Sequence, residues 1–275
     1  MTRAVIAFSI LFFVSSVYGY RLNRVAESGA RWQDLPVQMT LNPANSGLSE
    51  AETQRAIGQA MNTWNSKTNI EMLTISAIDR SLASSDGMDP DAINAIVFSR
   101  DFMNDTGFDV NTTVAVGGQY GNGQAMSSAF IIFNAQKVGW GTDSASCKAG
   151  YGYCDDLGTI SLHELGHVLG LGHSEIAAAA MSATRDYKIK RELHQDDIDG
   201  ALFLAQYSVS GGSASYSEDQ TSGGSGGSGG CGTISTGTGS GTGSGNGAGG
   251  TIAMMLLPLL ALGVLRNRVV LLTNR

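Results

Sequence analysis

The sequence predicts an α+β domain, and three observations carry that expectation. Strand-like runs fill the first half of the chain, a helix bearing two histidines with a third just beyond its end follows them, and an abrupt change of composition after Tyr207 ends the folded region. Strands gathered before helices, rather than alternating with them, mark this class.

Residues 36–41 alternate in strand fashion and run into the turn-rich stretch 42–47. Ser49 and Glu52 form a capping-box signature, behind which Ile57, Met61 and Trp64 recur at helical spacing. They predict an amphipathic helix of about four turns. A second strand is expected at 70–75, and three more at 92–98, 112–117 and 128–134, separated by clusters of Gly, Asp and Asn. The histidine-bearing helix comes next. The last helix is expected over 195–205, with Ile198, Ala201, Leu202 and Ala205 on one face.

The flanks read differently. Residues 1–19 have the order of a secretory signal, with Arg3, an apolar run over 4–14, then Val17-Tyr18-Gly19. The other reading is a buried N-terminal helix. With the signal removed, a mature domain over 20–207 is expected. Export would place Cys147 and Cys154 in an oxidising compartment, where they suit a local disulfide, leaving Cys231 over. Residues 208–250 are dominated by Gly, Ser and Thr and are expected to be a disordered linker. Residues 251–275 hold an apolar run, 252–265, containing Pro258 and followed by Arg266 and Arg268. That run is short for a transmembrane span of about 20 residues, so it is either a marginal anchor or a sorting signal. The net charge of -7 argues against nucleic acid or an anionic membrane surface as the main partner.

The chemistry concentrates in residues 163–173. His163 and His167 stand four apart, on one helix face, where both ring nitrogens can reach one metal ion. Glu164 is placed to approach the metal's open position as a general base and then acid. A catalytic zinc takes three protein ligands. Gly170 allows the helix to end in a left-handed turn that swings His173 back to the same ion, and Gly172 adds freedom for a close approach. Three of the four histidines fall in this run. His194 stands apart from any ligand set and is expected at the surface or capping an element.

The pattern His163-Glu164-x-x-His167-x-x-Gly170-x-x-His173 resembles the zinc motif of the metzincin metalloproteases, and Ser174 directly after it resembles the matrixin branch. Met181 stands where that family's Met-turn methionine lies. Leu35-Pro36-Val37, the helix ending in Trp64, Asp156-Leu157 before the zinc helix, and Gln195-Asp196-Asp197-Ile198 also match. The family's cleft-lining edge strand resembles Ala129, Phe130, Ile131, Ile132, Phe133 and Asn134. The resemblance implies a twisted mixed sheet packed on helices, one catalytic zinc, and a monomeric endopeptidase that holds protein or peptide substrates extended along that strand. Asp156 would cap the zinc helix, and Asp196 and Asp197 would brace the Met-turn.

There are departures. No histidine precedes His163, so a second, structural zinc is not expected. No cysteine precedes Cys147, so a propeptide cysteine latch is not expected either. Ser182 and Ala183 follow Met181 without the usual Tyr or Pro, and no tyrosine ligand is supported. Structural calcium is possible at Asp86, Asp89 and Asp91, but these read better as a solvated turn. The C-terminus resembles the tripartite sorting signals of bacterial exported proteins, with Cys231 as the recognised or modified residue; the other reading is an unpaired thiol. Secretion or surface attachment, with the membrane reached through the C-terminal segment, follows from that resemblance. Two other functions stay open: a non-proteolytic zinc-containing surface binding protein, and a metal-dependent amide hydrolase acting on non-protein substrates.

Overall fold

The computed structural model describes residues 19–89, 93–121, 123–142, 153–184, 188–209 and 231–235. A short helix α1 (Arg24–Glu27) precedes β1 (Val37–Leu41), after which the capping box of Ser49 and Glu52 starts α2 (Glu50–Thr68). The Ser49 Oγ accepts the Glu52 amide at 3.3 Å and Glu52 Oε2 accepts the Ser49 amide at 2.9 Å. The helix runs one turn beyond Trp64 and stops at Asn69, whose φ of 55° is the left-handed conformation that Asn tolerates.

The remaining strands are β2 (Leu73–Ile78), β3 (Ala95–Ser99), β4 (Thr113–Gly121), β5 (Met126–Asn134), β6 (Val138–Gly141), β7 (Tyr153–Asp156) and β8 (Cys231–Ser235). The remaining helices are α3 (Ser84–Gly87), α4 (Phe102–Thr106), α5 (Leu157–Leu169) and α6 (Gln195–Val209). The main sheet has the order β2-β1-β3-β5-β4-β8, while β6 and β7 pair separately. β1, β2, β3 and β5 are mutually parallel; β4 runs antiparallel to β5, and β8 antiparallel to β4. Mixed strands with segregated helices make this the α+β fold that the element order implied.

Both faces of the sheet are covered. Ile131 and Phe133 of β5 join the core under α2 and α5 with Met39, Trp64 and Leu165. Phe130 and Ile132 point to a second cluster with Leu82, Phe102 and Val110. A strand buried on both sides reads as a continuous apolar run. This corrects one expectation: residues 129–134 are not an edge. β5 is flanked by β3 and β4, so its backbone is already paired on both sides.

Other boundaries shift. The second strand begins at Leu73 rather than residue 70, because Asn65 at the end of α2 binds the Met72 and Leu73 amides and sets the entry. On α6, Leu204 faces the core with Ala201 and Ala205, where Leu202 was expected. The expected linker 208–250 is interrupted by β8, which the Thr233-Ile234 pair favours as β-branched residues. Residues 1–18, 251–275 and Cys147 lie outside the described residues. Cys154 is disulfide-bonded. Among the described residues no helix is long and apolar enough to cross a membrane.

Candidate active site

The site is built on α5, whose residues are buried except for half-buried Thr159. Its start is fixed electrostatically. Asp156 is the N-cap and accepts the Thr159 amide at 2.7 Å, while Arg191 grips both of its oxygens at 2.6 and 2.7 Å. Its end is fixed by Gly170, with φ 118°, a conformation that a side chain would strain. The Leu171 amide closes the turn on the Gly166 carbonyl at 2.9 Å, and the Gly172 amide bonds the Arg21 carbonyl at 2.8 Å. The chain reverses there and brings His173 back towards the helix.

His163, His167 and His173 converge: one ligand atom from each lies within 4.8 Å of the others. The Nε2 atoms of His163 and His167 are 3.0 Å apart. Their Nδ1 atoms lie 2.7 Å from the Ala180 carbonyl and 2.8 Å from the Leu171 carbonyl. A carbonyl only accepts, so both Nδ1 atoms carry the proton and both Nε2 lone pairs face the shared centre. Burial drives the His163 pKa well below its ordinary value, with His167 and His173 adding to it. Burial and the neighbouring His173 lower His167 to about 3, and burial lowers His173. The rings are therefore neutral near pH 7, the form that binds a metal.

Glu164 is fully buried and neither of its carboxylate oxygens has a hydrogen-bond partner. Burial pushes its pKa well above the usual carboxylate value; the Gly117 amide lies close enough to offset this in part, without the alignment of a hydrogen bond to either oxygen. His173 Nε2 is likewise buried and unpartnered. Unpartnered buried acceptors are costly, and a cation with its water ligand would satisfy all three atoms. The residues present thus fit a metal ion.

A floor lies under the histidines. Met181 is buried, and its Sδ occupies the space where Gly166 lacks a side chain. The Ser174 amide bonds the Met181 carbonyl at 2.8 Å, closing the loop between them. Asp197 accepts the Ala180 and Met181 amides at 2.7 and 3.1 Å, and Asp196 accepts the Ser174 hydroxyl at 2.5 Å. The acidic pair thereby holds the segment whose Ala180 carbonyl orients His163. His194 is half-buried and caps α6, its Nδ1 accepting the Asp196 amide at 3.2 Å.

The wall beside Glu164 is β4, not the expected 129–134 strand. A Cβ at Gly117 would sit 2.7 Å from Glu164 Oε2, so glycine lets the strand press against the carboxylate. The sequence predicts a strand over 112–117 and nothing in it assigns that strand to the site. Two adjacent glycines in an otherwise apolar strand, Gly117 and Gly118, were the available signal of a close approach. Also missed was Asn23, which donates to the His167 carbonyl at 3.2 Å and exchanges hydrogen bonds with buried Gln119 at 3.0 and 2.7 Å. It ties β4 to the end of α5.

A family model described as Matrixin matches residues 31–204. The chain is 28% identical over 194 residues to "Matrix metalloproteinase-16" of Mus musculus, covering 68% of this chain and 29% of that protein. It is 24% identical over 226 residues to "Karilysin" of Tannerella forsythia, covering 75% of this chain and 43% of that protein. A shorter match, 48% over 50 residues, is to "Metalloendoproteinase 4-MMP" of Arabidopsis thaliana, covering 18% of this chain and 15% of that protein. The chain thus spans less than half the length of each of these relatives.

Proposed function

The chain belongs to the matrixin family, and from that premise we propose that it is a secreted or surface-attached zinc-dependent endopeptidase. The observation that carries the proposal is Glu164, buried without a hydrogen-bond partner beside three histidines whose free nitrogens converge. A purely structural metal site has no use for such a carboxylate.

In this reading His163, His167 and His173 hold one zinc ion. When bound, zinc polarises the scissile carbonyl and lowers the pKa of the attacking water. Glu164 would take a proton from the attacking water and hand it to the leaving amine. Met181 supports the histidines from below. The substrate would lie extended along β4 by strand addition on the edge where β8 now pairs, and Gly117 would bring the scissile bond close to Glu164.

Residues 1–19 would direct export, and the disulfide at Cys154, with Cys147 as the proposed partner, suits an oxidising compartment. Residues 251–275 with Cys231 would serve as a sorting signal or anchor. Incubating the zinc-loaded full chain with a mixed peptide library, with and without chelator, tests the activity. Internal cleavage that the chelator stops is expected. No cleavage, or cleavage indifferent to the chelator, overturns it.

A further inference from the structure

A strand that lines a peptide cleft should leave one edge open, but in this chain that edge is filled. β8 lies antiparallel on β4, with Gly118 opposite Cys231, Gly117 opposite Gly232 and Val116 opposite Thr233 before the register slips towards Thr113. β8 also packs beside α5. The main chain of this segment therefore crosses β4 at Gly117, the residue pressed against Glu164. An edge carries a single row of main-chain donors and acceptors, so β8 and an extended peptide cannot both use it.

The covalent link makes the competition unequal. α6 ends at Val209 and β8 starts at Cys231. The segment and the edge belong to one chain, so their pairing is intramolecular, whereas a peptide substrate must bind from solution. Composition agrees: Ile234 is the one branched aliphatic residue within 210–250, and it falls inside β8.

We propose that residues Cys231–Ser235 are a tethered occupant of the β4 edge, a built-in competitor of extended peptides that keeps the cleft shut until the tail is displaced or removed. The role as competitor rests on the strand-addition reading above; the strand contact does not. Docking is carried by the main chain, so replacing a backbone donor breaks it and replacing the thiol does not.

Successive amides of an antiparallel strand alternate in direction, so one of Gly232 and Thr233 faces β4. The test compares the full chain with its Gly232→Pro/Thr233→Pro and Cys231→Ser variants, using amide hydrogen exchange of residues 113–121 and cleavage of the mixed peptide library. The double proline variant is expected to speed exchange in β4 by about tenfold and to raise cleavage by a similar factor, with Cys231→Ser matching the parent in both. Equal exchange in all three chains overturns the strand contact, whether or not any of them cleaves peptides. Loss of protection in Cys231→Ser overturns the main-chain basis. Faster exchange with unchanged, measurable cleavage overturns the competitor role, and faster exchange with no cleavage by any form overturns the endopeptidase reading instead.

Discussion

The histidine turn and the β4 wall meet at Glu164, yet they are assembled by different means. The turn is local: eleven residues, one helix and one left-handed glycine bring three imidazoles together. The wall is topological: β4 reaches Glu164 only because it pairs with β5, which pairs with β3 in the sheet beneath α5. In the proposed function the turn would hold the metal and the wall would position the substrate, and each side can be broken without the other.

The largest effect is expected from His173→Ala. Removing one of three ligands should lower zinc affinity by at least about 100-fold and abolish cleavage, as read by metal content after dialysis. Zinc retained at parental affinity would take His173 out of the ligand set.

A pH dependence should follow in the metal-free chain. All three site histidines have depressed pKa values, His167 to about 3. Below about pH 6.5 the unfolded chain binds protons that the fold refuses, so stability falls as pH drops through that range. Glu164, with its raised pKa, acts in the opposite sense, since the fold holds its proton more tightly than the unfolded chain does. Thermal melts from pH 5 to 8 should therefore show stability rising with pH, more steeply in Glu164→Gln. A flat profile in both chains would contradict the burial of the histidines.

Gly117→Val attacks the wall. A side chain there would meet the Glu164 carboxylate at 2.7 Å and its backbone carbonyl at 2.9 Å, so it should displace the carboxylate and lower kcat by about 10- to 100-fold, with zinc content affected far less. Loss of zinc along with activity would mean that the wall and the metal turn are not separable. A smaller change is expected from Asp197→Ala, which leaves the buried Ala180 and Met181 amides without their acceptor. Its cost is about 1–3 kcal/mol of stability, visible as a lowered Tm.

The same contrast decides what could be read in advance. The convergence of the three histidines, the Gly170 turn, the Asp156 cap and the Ser49–Glu52 box are local patterns, and the structure forms each of them. The α+β class was legible because strands and helices segregate along the chain. The cleft wall was not. Residues 129–134 and 113–121 are both apolar runs buried on both faces, and periodicity cannot tell which of two such strands lies outermost. That depends on pairing between distant segments. β8 was hidden for a related reason: a five-residue strand in a Gly/Ser/Thr stretch owes its order to the edge it meets, not to its own composition.

In the proposed function three histidines hold the metal while Glu164 does the proton work. Measuring zinc stoichiometry and peptide cleavage together in the full chain and in Glu164→Gln tests it most directly. One zinc per chain in both proteins, with cleavage reduced by about 100- to 10,000-fold in the variant, is the expected result. Parental cleavage by Glu164→Gln, or loss of zinc from it, would contradict the claim.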